Sequence, residues 1–520
     1  MTGGDGAGDG AFCFLQLPVE LQITIISLLH ERYENIIDNT HKFKPTFNAA
    51  ATSALAALCI ASRHTRSLAE PLLYREFCHH ELWMNTGPKY FDKLAGFVWT
   101  LHQRPELGKL LQRVRMRDYT APDWPGFSKL NNPGYPHDHD DFLLAPQPCA
   151  DKLQDLADRV DVIAYSPVDR AWVEQRVPMR RSAILLQLLL VKTPNLEELF
   201  METLSGSWDI CSWTLLQEHV IAARVLSPHS AFPHLKTLTV HHALEDDFNW
   251  GLQLSTTIKR FSAQLSVILG SRNVEELSLD QCVHVGPIPM FTHLTSINLW
   301  YCHLARSDIK RLLSSCDGLR SFSYEAASYS NRHATLMYIT SHPQGFIDEF
   351  DAQMQATPRE MQSALMRHKD TLEAVEIRQL LLPQRHEDRN GSCLSWKSFT
   401  NLKRLVLKGN GLVHPANVRR ITPHPLFHLL PDDIEEFDLD GVFNCDIFGF
   451  REYITAGCFH KLQKATFGYM DELRRTYQYP HLVNVDSLLA TGVAQALISR
   501  GVEVEVVPPN IFWGGPADEE

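Results

Sequence analysis

The sequence has no C-x-x-C pair, no apolar stretch long enough to cross a bilayer, no excess of basic charge and none of the common catalytic motifs. Each absence narrows what the chain can be. Its 11 cysteines are scattered and odd in number, which in 520 residues points to reduced, mostly buried thiols and not to a disulfide framework or zinc module. The longest apolar run, 183–191, is interrupted by Gln187 and falls far short of the roughly 20 residues a membrane helix needs. A formal charge of -12 gives no support to nonspecific nucleic-acid binding, which needs clustered Lys and Arg to displace counterions. No G-x-S-x-G, H-E-x-x-H or kinase signature occurs. The N-terminal glycines lack the G-K-[ST] ending of a phosphate loop and follow no strand. The N-terminus also lacks the basic region and apolar segment of a secretory signal. A cytoplasmic or nuclear protein is expected, with neither membrane nor nucleic acid among its partners.

What is present is an ordinary globular mixture, 44% apolar and 21% charged, with ample material for burial. Residues 1–11 carry GGDGAGDG, which can bury almost nothing and is expected to be disordered. A helical domain is expected over 12–80, then a helical connector and first strand over 81–117, the strand centred on Val114 and Met116. Residues 118–150 are rich in Pro, Asp, His and Asn and read as a long polar loop. Residues 151–508 alternate short apolar strands with helices and loops, and 509–520 form a tail.

One phrase recurs through the long C-terminal part: L-x-x-L-x-L. It appears as Leu196/Leu199/Met201, Leu235/Leu238/Val240, Val274/Leu277/Leu279 and Leu294/Ile297/Leu299. Degenerate copies are Leu319/Phe322/Tyr324 and Leu372/Val375/Ile377, followed by Leu402/Leu405/Leu407, Ile434/Phe437/Leu439 and Leu462/Ala465/Phe467. GVEVEVV at 501–507 is a candidate to close the series. In each phrase the last two apolar residues point to one face of a strand and the x residues to the other. One unit cannot bury its leucines alone, whereas stacked units share a core beneath a continuous parallel sheet. Parallel strands need crossovers, and 184–192, 256–270, 307–316 and 358–369 carry apolar residues at helical spacing. In the last of these, Met361, Leu365, Met366 and His368 form an expected inner stripe.

The N-terminal segment 15–29 reads LQLPVELQITIISLL. Pro18 suits the first turn of a helix, and Glu20 places negative charge near its N-terminus. On a helical wheel Leu17, Leu21, Ile25, Leu28 and Leu29 fall on one arc and Val19, Ile23 and Ile26 on a second, with Gln22 between them. A helix apolar around so much of its circumference needs two burial surfaces, one of which is a partner or the end of the repeat array. A second helix is expected over 54–69, ending before Pro71.

These strings resemble the F-box: LPVEL, an I-x-x-L helix, L-x-x-L-C-x-x-S-R and a trailing L-A-x-P-L-L-Y, over about 14–77. The nine phrases resemble leucine-rich repeats, and Ile297-x-Leu299-x-x-Cys302-x-Leu304 and Leu405-x-Leu407-x-x-Asn410-x-Leu412 extend the match to the family's L-x-L-x-x-[NC]-x-L consensus. Leu277-x-Leu279-x-x-Cys282 departs from it at His284. The resemblance implies an α/β chain: an N-terminal all-helical F-box-like module, then an irregular leucine-rich-repeat solenoid with a parallel sheet. It also implies that Leu17, Pro18, Glu20, Leu21, Ile25, Leu28, Leu58, Cys59 and Leu68 build the module or touch a Skp-type adaptor. The connection at 30–53 is unusually long for the family, and its ERYENIIDNTHKF is compatible with a further helix.

The expected function is therefore recognition without catalysis. A Skp-type adaptor and cullin would hold one end, a target protein would sit on the solenoid, and no cofactor would be required. The alternative is a leucine-rich-repeat scaffold with a helical cap and no ligase role. Among the x positions, those expected to meet the target are Phe200, His241, Asp280, Asn298, Trp300, Arg378, Lys408, Asp438 and Asp440. The one dense ligand-like cluster, His137-Asp138-His139-Asp140-Asp141, sits in a Pro-rich stretch and reads as a solvated loop in preference to a metal site.

Overall fold

A computed structural model describes residues 14–29, 35–37, 43–45, 49–79, 89–117, 186, 188–204, 232–243, 273–280, 290–302, 304–326, 356–379, 395–409, 430–440, 450–468 and 491–507. The expectations for 1–11, 118–150, 256–270 and 509–520, for Asn410, and for Cys282 and His284 lie outside these residues. The chain divides into two compact units, Met1–Met201 and Glu202–Glu520.

In the first unit, α1 (Val19–Leu29), α2 (Ala49–Ala61) and α3 (Arg63–Leu73) enclose a small core of Ile26, Leu55 and Ala69, with Phe14, Leu58, Cys59, Leu68, Leu72 and Leu73 packed against it. The single helix expected over 54–69 is two helices. Ser62 breaks it, because its extended backbone leaves the helical path while its Oγ accepts from Thr65 N–H at 3.0 Å and starts α3. α3 runs through Pro71, and Tyr74 N–H closes its last turn on Glu70 O at 3.0 Å. Within 30–53, Asn35–Ile37 (β1) and Phe43–Pro45 (β2) pair antiparallel, so the described residues of ERYENIIDNTHKF are extended and not helical, while 49–53 already belong to α2. β3 (Glu76–His79), α4 (Lys89–Gln103), α5 (Pro105–Gly108) and β4 (Arg113–Arg117) follow. Arg104 grips both oxygens of Glu70, at 2.8 and 3.1 Å, and so ties α5 to α3.

The chain is α/β, with an open sheet of twelve strands arranged in chain order from β3 to β14. The remaining strands are β5 (Glu198–Leu204), β6 (Thr237–Ala243), β7 (Glu276–Asp280), β8 (Ser296–Cys302), β9 (Ser321–Ala326), β10 (Ala374–Gln379), β11 (Arg404–Gly409), β12 (Glu436–Asp440), β13 (Lys464–Gly468) and β14 (Glu503–Val507). From β6 to β14 every strand pairs in parallel with the next. Each of the nine phrases supplies one of the strands β5 to β13. All of their apolar residues are buried, the most accessible being Leu462 at 7%. Each buried aliphatic side chain in these rows contributes roughly 1.5–3 kcal/mol.

The turn into most of these strands is locked the same way. The two N–H groups at positions 295/296, 320/321, 373/374, 403/404, 435/436 and 463/464 share one carbonyl of the preceding unit, as Thr295 and Ser296 do on Glu275 O at 2.8 and 3.1 Å. The residue before the phrase often adds a side-chain bond: Asn195 Nδ2 donates to Lys109 O, Asn273 Nδ2 to Pro233 O and Thr371 Oγ1 to Leu319 O, at 2.7, 2.6 and 2.8 Å. Cys302 lies where the repeat consensus places Asn or Cys, and its Sγ donates to Leu279 O at 3.5 Å, one strand away.

The crossovers include α6 (Arg306–Ser314), α7 (Pro358–Leu365), α8 (Phe450–Thr455) and α9 (Val493–Ser499). Thr357 and Glu360 close a capping box at the start of α7. Met361, Leu365 and His368 of the expected stripe are buried, but Met366 is 40% exposed. It opens a 3-10 turn, Met366–His368, whose tighter winding takes it off the stripe while returning His368 inward. His368 Nε2 lies 2.9 Å from Leu313 O, and burial holds its pKa below the ordinary histidine value. Beside it Cys316, pushed up to about 12 by burial, stays a thiol and packs as an apolar residue.

Candidate interaction surfaces

In the first unit, α1 buries one narrow strip among residues 19–28 and leaves the others of that range to solvent. Pro18 O accepts the first helical N–H bonds, from Leu21 and Gln22, and Glu20 sits in the first turn. The buried strip is Ile26 together with Gln22, the polar residue that the sequence places between two apolar arcs. Gln22 Nε2 donates to Leu17 O at 2.8 Å, and its Oε1 meets His64 Nε2 at 2.7 Å. An amide oxygen only accepts, so the proton is on that ring nitrogen. One buried amide thus fixes the LPVE turn against the first turn of α3.

Either side of this strip five apolar residues of α1 are open. Leu21, Ile25 and Leu28, one turn apart on one side, are 49%, 39% and 68% exposed; Val19 and Ile23, on the other, are 43% and 45%. Adding Leu15 and Ile60, seven of the ten exposed large hydrophobics among the described residues lie in 15–60, a concentration that single surface leucines do not produce. Of the residues that the F-box resemblance implies, Pro18, Glu20, Leu21, Ile25 and Leu28 are exposed and Leu17 is half-buried, whereas Leu58, Cys59 and Leu68 face the core of the module.

The second surface is the face of the sheet opposite the leucine rows. Register places His241, Asp280 and Trp300 side by side on β6, β7 and β8, and Arg378 and Lys408 side by side on β10 and β11. Asn298 lies between Ser278 and Ser323 one row away, and its amide meets Ser278 Oγ at 3.4 Å. Phe200 is half-buried on β5, while Asp440 and His241 are placed by backbone only. A chain of charges crosses four strands. Glu325 faces Arg378 at 3.9 Å, Arg378 also holds Glu376, and Arg404 joins Glu376 to Glu436 at 3.1 and 3.3 Å. Lys408 pairs with Asp438.

This face is less open than its polar sequence implies. Asp280, Ser323, Glu325 and Glu376 are all buried, Glu325 to 2% exposure. Burial, opposed by Arg378 and reinforced by Glu376 and Asp280, pushes the Glu325 carboxyl up to about 7. The unfolded chain releases that proton in the ordinary carboxylate range, so folding holds an extra proton between there and about pH 7, and stability falls as pH rises across that window. Glu325→Gln is expected to flatten the fall and to stabilise the protein at about pH 8 by roughly 2–3 kcal/mol, read from urea midpoints at about pH 5 and 8. A variant less stable than the parent at about pH 8 would show instead that the carboxylate is stabilised there by Arg378.

Among the described residues no group of three or more His, Cys, Asp or Glu is arranged to hold a metal ion, and no helix is long and apolar enough to cross a membrane. The 137–141 cluster lies outside those residues. Neither a protein-family model nor a curated protein matches the chain.

Proposed function

We propose that the chain is a non-catalytic substrate-recognition subunit of an SCF-type cullin-RING ubiquitin ligase. In this reading α1–α3 form an F-box that docks on a Skp-type adaptor, and the strands β5–β14 belong to an irregular leucine-rich-repeat solenoid that holds a target protein. The observation that carries the proposal is the exposed Leu21/Ile25/Leu28 stripe, which coincides with the positions implied by the F-box resemblance. The correspondence of nine phrases with nine strands supports the solenoid. Docking, not chemistry, is the mechanism: tethering a target beside a ubiquitin-loaded enzyme raises its effective concentration.

The experiment is capture of the full chain by purified Skp-type adaptor. The parent is expected to bind, and Leu17→Ala with Pro18→Ala to bind about tenfold more weakly, because that pair shapes the turn from which α1 starts. A folded full chain that is not captured would remove the ligase reading and leave a repeat scaffold.

A further inference from the structure

Between α8 and α9 lies an open cleft of about 780 Å³ that neither docking surface uses. Its lining includes Arg451, Thr455, Gly492, Gln495, Ser499 and Arg500, and no Asp or Glu is among the described residues that line it. In a chain of net charge -12 that is an unusual balance. Arg306, Arg311, Arg320, Arg367, Arg378 and Arg404 of the same unit each stand within 4 Å of a carboxylate. Arg451 and Arg500, which line one cleft, have no carboxylate partner among the described residues.

Both guanidiniums are placed. Arg500 Nη1 donates to Ile454 O at 3.0 Å and Cys458 O at 2.7 Å, which ties it to the end of α8 and leaves Nη2 and Nε for another acceptor. The turn it holds is built from left-handed backbone, with φ of 89° at Gly457 and 55° at Phe459. Arg451 lies over Gly492, where an added Cβ would stand 3.5 Å from its Cζ, so the glycine leaves the guanidinium its resting place. Gln495, exposed on the same cleft, adds a neutral amide donor.

We infer that this cleft binds a phosphate ester, held between the Arg451 and Arg500 guanidiniums. The planar guanidinium fork matches the oxygens of a phosphate. The space is of the size that takes an organic body as well as the anion. The inference does not depend on the ligase reading.

The test is saturation-transfer NMR on the full chain with phenyl phosphate, phenol as the neutral control and inorganic phosphate as competitor. Phenyl phosphate is expected to bind saturably, phenol not at all, and Arg451→Gln to weaken binding about tenfold or more. Arg451 is exposed and makes no side-chain hydrogen bond among the described residues, so an unchanged unfolding midpoint is expected for that variant. Displacement by equimolar inorganic phosphate would assign the site to the free anion; displacement only at large excess would assign it to the carried ester. Absence of saturable binding, or equal binding by Arg451→Gln, would overturn the inference.

Discussion

Leu299→Asp is expected to cost at least about 4 kcal/mol, because it places an unpaired carboxylate in a dry interior. Leu299 is 0% exposed on β8, flanked in register by Leu279 on β7 and Tyr324 on β9. Among the described residues no cation is at hand on that face, since the charged chain of Glu325, Arg378, Glu376 and Arg404 lies on the other. Ser296, three residues away on the same strand but half-exposed, is the control: Ser296→Asp is expected to cost less than about 1 kcal/mol. Urea unfolding of both variants checks the difference. Hydrogen exchange adds a second readout, because neighbouring strands support one another and protection should fall first in β7 and β9. Equal destabilisation by the two substitutions would mean that the side-chain register of β8 is wrong.

The second large effect concerns α1. Leu21→Asp combined with Ile25→Asp is expected to leave the fold intact, since both side chains are already substantially in water, at 49% and 39%. The same pair is expected to weaken capture by the Skp-type adaptor more than about 100-fold, because it puts two charges in the middle of an apolar contact. Thr24→Asp, at an exposed polar position of the same helix, adds a charge outside that stripe and is expected to bind as the parent does. Loss of binding in all variants alike would point to nonspecific charge effects, and no loss in any would place docking elsewhere.

The repeat rows were legible because a strand of period two preceded by a fixed three-residue step leaves the same mark each time, even where Tyr324 or Ala465 replaces a leucine. β3 was not, because EFCH follows directly on α3 with Tyr74 in the leading position and so reads as the end of a helix. In the structure Phe77 stacks on Phe97 at 4.1 Å, and Gln112 and Arg113 N–H groups find Arg75 O. The Asn195, Asn273 and Asn401 side-chain bonds had a visible signal, an asparagine just ahead of the phrase, which sequence reasoning did not use. Gln22 had none: its partner His64 is 42 residues away, and only folding brings them together. Alternation likewise tells which face Glu325 and Glu376 take but not whether that face meets water, which is why their burial escaped prediction.

The proposed docking of α1–α3 is tested most directly by sedimentation velocity of the full chain mixed with purified Skp-type adaptor. At about 10 μM of each, a single one-to-one complex is expected, lost in the Leu21→Asp, Ile25→Asp variant. Two species sedimenting independently, from a chain shown to be folded, would contradict it.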